Sequence, residues 1–228
     1  MTRIQIIARA LLQPIILLPV LGALLFFPAG HLDWFMGWVV LGAYLDGLGL
    51  INILVSLRHP DLVRERIHAP ETAKRWDRTL TSLANLPTFL MLPVAGFDRR
   101  FGWTTQVTWP VQLAALVVFI LGYGLVGWAM ITNRFFSSLV RIQQERGHVV
   151  VSGGPYQYIR HPGYLGMIAM QLSAPLVLGS LWALICGGIS GCLYILRTYL
   201  EDNTLLEELP GYREYVKKVP YRLMPWVW

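Results

Sequence analysis

Charge is scarce in this chain. Only 14% of its residues are Asp, Glu, Lys or Arg, against roughly 25% in an ordinary soluble domain. That shortage excludes a disordered segment, a coiled coil and a typical soluble enzyme. Cysteine is almost missing as well. Cys186 and Cys192 stand inside one apolar run, where helical spacing puts them on different faces and forbids a bridge. There is no disulfide framework, no metal-ligand spacing, no Ser-His-Asp arrangement and no HExxH motif. The expectation is a protein that binds no metal.

What is abundant is apolar surface. Of 228 residues 55% are hydrophobic and nine are Trp, and mean hydropathy is +0.50. These values point to an integral membrane protein. The formal charge of +6 then reads as basic loops held at the cytoplasmic leaflet, not as a nucleic-acid surface. The start, MTRIQIIARALLQ, has the basic flavour of a signal peptide. Its apolar run continues to Phe27 without a small-x-small cleavage site, so a retained first span is expected.

Uncharged runs cover residues 10–27, 34–57 (interrupted by Asp46), 79–97 (containing Pro87 and Pro93), 109–131 and 161–196. As one helix the last would reach roughly 54 Å, far beyond a ~30 Å hydrocarbon core. It is expected to fold back at Leu178-Gly179-Ser180-Leu181. The result is an all-α polytopic bundle of about six crossings ending in a helical hairpin. Starting from the cytoplasm, all 19 Lys and Arg except Arg99 and Arg100 fall on one side, which predicts both termini there. Every long polar segment shares that face. Residues 1–131 read as N-terminal spans and residues 132–228 as the half that carries chemistry, in one membrane domain.

Gly122-Tyr123-Gly124-Leu125-Val126-Gly127 matches GxGxxG, but it lies inside a span with no preceding strand, so close helix packing is expected. Gly187 and Gly191 read the same way. The Arg58-His59-Pro60 triplet reads as a helix stop. Asp46 is a carboxylate in mid-span, which costs roughly 2.5–3.5 kcal/mol on insertion scales. Ion coupling in a transporter and a buried hydrogen bond, for example to Asn52, both fit it.

The informative stretch is 143–166, QQERGHVVVSGGPYQYIRHPGYLG. Tyr156, Tyr158, Arg160, His161 and Tyr164 crowd the entrance to the hairpin, Pro162 suits a first helical turn and Gly163 permits close approach. An interfacial aromatic belt over a helix cap fits these residues as well as an anion-binding site does. The second stretch is 197–208, RTYLEDNTLLEE. On a continued helix Arg197, Glu201, Leu205 and Glu208 share a face. The two limbs of a hairpin end side by side, so both stretches meet at one membrane level. Rings, an arginine and acids there suit a zwitterionic or cationic ligand carrying an aromatic ring.

Together these residues resemble the isoprenylcysteine carboxyl methyltransferase family, within the wider membrane phospholipid-methyltransferase superfamily. The resemblance is carried by Gln143-x-Glu145-Arg146-x-His148-x-x-Val151, Gly154-x-Tyr156 and Arg160-His161-Pro162-x-Tyr164-x-Gly166. Beyond the hairpin it continues in Arg197-x-x-x-Glu201-Asp202-x-x-Leu205, Gly211-Tyr212-x-x-Tyr215, Val219-Pro220 and Pro225. It covers about residues 132–226. Over the first half, Arg58-His59-Pro60-x-Leu62 and Trp76-Asp77 are similar to N-terminal spans of bacterial members.

The resemblance implies an S-adenosylmethionine-dependent methyltransferase of a bacterial-type inner membrane, with a cytoplasmic active site. It implies O-methylation of a carboxylate on a prenylated or otherwise apolar partner, and S-adenosylhomocysteine as product. It implies cofactor contacts from Gln143, His148, Val149, Val150, Val151, Tyr156, His161, Pro162, Gly163, Tyr164 and Glu201, and substrate contact from Arg197. Arg197 and Glu201 are then the expected catalytic pair. The family often has Glu-Glu where this chain has Glu201-Asp202, which leaves a cofactor contact by Asp202 open.

The chemistry agrees with the residues. A carboxylate acceptor is already a nucleophile and needs no general base; orientation and exclusion of water do the work. The short hairpin limbs would let a greasy acceptor enter sideways from the bilayer. The rivals are a lipid-amine N-methyltransferase, a reductase on a related membrane fold, and a transporter that uses Asp46.

Overall fold

The structure, a computed structural model, describes residues 3–67, 73–105 and 107–228. The side chains of Arg3 and Arg9, which contribute to the basic face above, lie outside the described residues, as do Met1 and Thr2. Among the described residues the α-helices are α1 (Arg3–Ala29), α2 (Phe35–Arg58), α3 (Pro60–Ile67), α4 (Arg75–Phe101), α5 (Trp109–Thr132), α6 (Pro162–Val177), α7 (Leu181–Glu208) and α8 (Tyr212–Lys218). Two short 3-10 turns, Gln144–Arg146 and Gly154–Gln157, punctuate the long loop between α5 and α6.

The long helices close a ring. α1 packs on α2 and α4, α4 on α7, α7 on α6, α6 on α5, and α5 back on α2. Leu25, Leu41, Phe119, Val177 and Ala183 meet inside it, while Ile15, Leu86, Val117, Leu121 and Ile185 are exposed on its outer wall. An outer wall of that kind belongs in acyl chains, not water. Four helices, α2, α4, α5 and α7, are long and apolar enough to cross a membrane. α1 contributes the shorter apolar stretch Ile15–Ala29. α6 has 16 residues, about 24 Å, because it begins only at Pro162 and stops at the hairpin turn. Among the described residues, four helices have the length and apolarity of a full crossing, and α1 and the short α6 complete the ring.

The hairpin turns where its residues said it would. Gly179 takes φ +73, which an L side chain rarely adopts, and Ser180 caps α7 by accepting from the Ala183 N–H at 3.0 Å. The packing role of the glycine motif also holds. A Cβ on Gly122 would stand 2.8 Å from the Gly166 carbonyl, and one on Gly166 2.5 Å from the Gly122 carbonyl, so α5 and α6 approach backbone to backbone. Gly187 meets the Gln171 carbonyl in the same way.

His59 ends α2, and its ring contacts the Ile131 carbonyl at 2.8 Å. The chain then turns straight into α3, a helix the sequence did not announce. Asp46 sits on an exposed face of α2. Pro87 and Pro93 lie within one continuous α4.

Candidate functional site

The polar end of the ring is organised around Asp202, which is fully buried. Its Oδ1 accepts from Arg160 Nε at 2.9 Å and from the Tyr212 hydroxyl at 2.8 Å, and lies 3.1 Å from His161 Nε2. Its Oδ2 accepts from Arg160 at 2.9 Å and from Arg222 at 2.8 Å. Arg160 also donates to the carbonyls of Val219 and Pro220. The backbone N–H groups of Arg160 and His161 donate to Tyr221 and Arg222 in the tail. One carboxylate thus ties α7, the Arg160-His161-Pro162 turn, α8 and the tail together. Asp202 points into this frame and is not among the residues that line the cavity beside it.

Its neighbour Glu201 faces the other way. A cavity of about 260 Å³ opens there, lined by Glu201, His161, Gly163, Tyr164, Tyr156 and the extended segment 148–151, together with Phe135, Tyr194, Arg197, Thr81 and Arg66. The Tyr164 hydroxyl donates to Glu201 Oε2. The rings of His161, Tyr164 and Tyr194 follow one another at centroid separations of 5.9 and 6.1 Å. The two sequence blocks on either side of the hairpin therefore share one cavity, as their spacing predicts.

His148 packs on Phe135 with ring centroids 4.5 Å apart, and its Nδ1 accepts from the Gln143 N–H. Burial, then the nearby Arg146 and Arg141, push its pKa down to about 4. Its imidazole is neutral at physiological pH. Burial raises the phenols of Tyr156, Tyr212 and Tyr215 above the usual tyrosine range, so each stays neutral; the Tyr212 hydroxyl donates to Asp202, and the Tyr156 hydroxyl accepts from Asn133. Tyr215 spends its proton on the Tyr156 carbonyl at 2.6 Å.

Five residues stand elsewhere than expected or are otherwise engaged. Gln143 does not face the cavity. It is fully buried, with Nε2 on the Phe135 carbonyl and Oε1 taken by Arg146, so it holds the loop that forms the wall. Pro162 is likewise buried behind that wall as the first residue of α6. Gly163 lines the cavity, but the group it admits is its own chain's Phe136 ring, which a Cβ would meet at 2.5 Å. Arg197 lines the cavity over the Tyr164 ring, 5.4 Å to its centroid. Its guanidinium is nevertheless engaged. Nε and Nη2 donate to the two oxygens of Asp77 at 2.6 and 2.9 Å, and Nη2 also reaches the Ser138 carbonyl. Glu208 does not share the cavity with Arg197 and Glu201; it pairs with Lys74 at the surface.

Asp77 was missed by sequence reasoning. It is fully buried in the first turn of α4 and also accepts from the Val140 N–H at 2.7 Å. α3 was missed too. Glu65 receives two bonds from Arg141, at 2.9 and 2.7 Å, and Asp61 pairs with Arg146 and Arg134. Both pairs clamp the loop 133–148 from outside. The one available signal was a short acidic-basic run, Asp61 to Arg66, placed between two spans.

An all-helical membrane bundle with a tyrosine-lined cavity at its polar end defines the class of protein. Comparisons then give the family. A profile of the isoprenylcysteine carboxyl methyltransferase (ICMT) family matches residues 114–207. Protein-S-isoprenylcysteine O-methyltransferase of Dictyostelium discoideum is 31% identical over 189 residues, 78% of this chain and 74% of that protein. The enzymes of that name from Schizosaccharomyces pombe and Rattus norvegicus are 29% and 30% identical, over 48% and 50% of this chain and 48% and 41% of their own lengths. A solved structure of the eukaryotic intramembrane Ras methyltransferase ICMT aligns with a TM-score of 0.48 and 21% identity, over 85% of this chain and 74% of that one. The chain belongs to the isoprenylcysteine carboxyl methyltransferase family. It spans about half the length of several curated relatives that it matches.

Proposed function

We propose that this protein is an S-adenosylmethionine-dependent methyltransferase of the membrane's cytoplasmic face, esterifying the carboxylate of an S-prenylated cysteine or a similar apolar acid. The observation that carries the reading is the meeting of Glu201, His161, Tyr164 and the 148–151 segment around one cavity. The lining fits the donor. A sulfonium with an attached ammonium group needs electron-rich ring faces and an anion. Tyr156, Tyr164, Tyr194 and Glu201 supply both. When bound, the donor supplies an electrophilic methyl group.

The chain's own residues then have limited tasks. Glu201 and the tyrosines hold the donor, and the Tyr164 hydroxyl fixes the Glu201 carboxylate in place. The segment 148–151 and Gly163 form the wall between donor and frame. The acceptor needs to be oriented and dried, which can supply up to about 7–11 kcal/mol of barrier lowering. No base is required for a carboxylate. We also propose that residues 132–228 carry the donor side and that the N-terminal half closes the acceptor side through α3 and α4, with a lipid tail entering from the bilayer past the short α6.

An ammonium acceptor fits the lining less well, because four arginines, Arg66, Arg141, Arg160 and Arg197, line the same cavity. The test is incubation of the purified protein in lipid nanodiscs with methyl-labelled S-adenosylmethionine and an S-farnesylated N-acetylcysteine. A base-labile labelled ester is expected. A base-stable methylamine formed from membrane lipid instead would replace this reading with N-methylation, and absence of S-adenosylhomocysteine binding by calorimetry would remove the methyltransferase class.

A further inference from the structure

Arginines crowd the polar end of the ring, and of the four that line the cavity, Arg66, Arg141, Arg160 and Arg197, three are matched with acid. Arg160 and Arg222 bind Asp202, Arg197 binds Asp77, Arg141 binds Glu65, and Arg146 and Arg134 bind Asp61. Arg66 is different. It lies in the last turn of α3 and lines the cavity. Among the described residues it has no carboxylate partner: its Nη1 donates to the Phe136 carbonyl at 3.2 Å, and its guanidinium lies 6.0 Å from the Phe136 ring centroid.

Its setting sharpens the point. Arg66 is exposed to solvent along part of its length, while protein packed around its guanidinium and then the Arg197 charge push its pKa down to about 10. It is still a cation at neutral pH, but one short of compensating negative charge. A second unmet group lines the same cavity. The Thr81 hydroxyl of α4 is buried and, among the described residues, has no hydrogen-bond partner. A buried donor left unpaired is costly, and here a planar cation and an unpaired hydroxyl share a cavity that Arg197 also lines. Arg197, whose Nε and Nη2 are committed to Asp77, has less of its fork to offer.

We propose that Arg66 is the principal binding residue for the acceptor's carboxylate, with the Thr81 hydroxyl donating to the same group and Arg197 acting as a pre-fixed neighbour. The inference rests on the methyltransferase reading above and deepens its acceptor side. A guanidinium can bind a carboxylate through two parallel N–H bonds. The bound acid also supplies the negative charge that the paired arginines obtain from the protein.

The experiment uses the full chain in nanodiscs, comparing the protein with R66Q and R66K. Two binding probes are an S-farnesylated N-acetylcysteine and its neutral carboxamide, each titrated without donor. S-adenosylhomocysteine affinity reports on folding and on the donor side. The unaltered protein should bind the acid at least tenfold more tightly than the amide. R66Q should lose that preference, raise the acceptor KM tenfold or more, and keep S-adenosylhomocysteine affinity within twofold. R66K should retain part of the preference. An acid-over-amide preference unchanged in R66Q overturns the assignment, as does a parallel fall in S-adenosylhomocysteine affinity, which would move Arg66 to the donor. If the unaltered protein forms no ester, the methyltransferase reading fails while the acid-amide comparison still decides Arg66.

Discussion

The two neighbours Glu201 and Asp202 sit on one helical turn and do opposite jobs. Asp202 is saturated: two arginines, a tyrosine and a histidine surround it. Glu201 receives one hydroxyl and faces an open cavity. The same contrast runs through the polar end. Asp77, Glu65 and Asp61 are paired with arginines and hold elements together, while Glu201, Arg66 and Thr81 stand at the cavity with capacity to spare. Saturated groups build the frame and under-satisfied groups are left for ligands.

The largest effect should come from breaking the frame. Asp202→Asn removes the charge that compensates Arg160 and Arg222 in a buried site, a loss of about 3–5 kcal/mol. A large fall in the thermal midpoint in nanodiscs is expected, with loss of S-adenosylhomocysteine binding as the tail detaches. A midpoint equal to that of the parent would show that Asp202 is not the tie we describe.

The Asp77–Arg197 pair sharpens the comparison further. Asp77→Ala should destabilise by a similar amount, because Arg197 remains buried and unpaired, whereas Asp77→Ala with Arg197→Met should recover most of the stability. If the double variant melts no higher than the single one, the aspartate serves something other than the arginine. Both should lose acceptor turnover.

Glu201→Gln tests the cavity side of the contrast. S-adenosylhomocysteine affinity should fall tenfold or more while the thermal midpoint hardly moves. Equal affinity in isothermal titration would take Glu201 out of the donor site.

A last test concerns pH. His148 is held at about 4 in the folded protein against an ordinary 6.5. In the window between those values the unfolded chain takes up a proton that the folded chain refuses. Stability should therefore be complete above pH 6.5 and decline as pH falls toward 4. His148→Phe should flatten that part of the midpoint-versus-pH curve. A slope unchanged in the variant would assign the dependence to other groups.

Much of this architecture was legible in the residues. Uncharged runs marked the apolar helices, because a membrane rejects charge. Leu178-Gly179-Ser180-Leu181 marked the hairpin turn, because a single helix of that length exceeds a bilayer. The spacing of Arg197 and Glu201 marked a shared helical face, and α7 does run on to Glu208. Other features were hidden. Nothing near Asp77 reveals that its partner lies 120 positions away, and Gln143 has the composition of a ligand contact but the burial of a strut. Arg66 looked like one more basic loop residue until α3 turned its guanidinium into the cavity.

The sequence by itself determined which segments are apolar, where the last run must reverse and which two polar blocks flank the hairpin, since these follow from local periodicity and the cost of burying charge. Only the closure of the helical ring decided which arginine meets which acid. Charge pairing depends on distances between segments far apart along the chain, and it is those distances that separate the filled carboxylates of the frame from the open groups of the cavity.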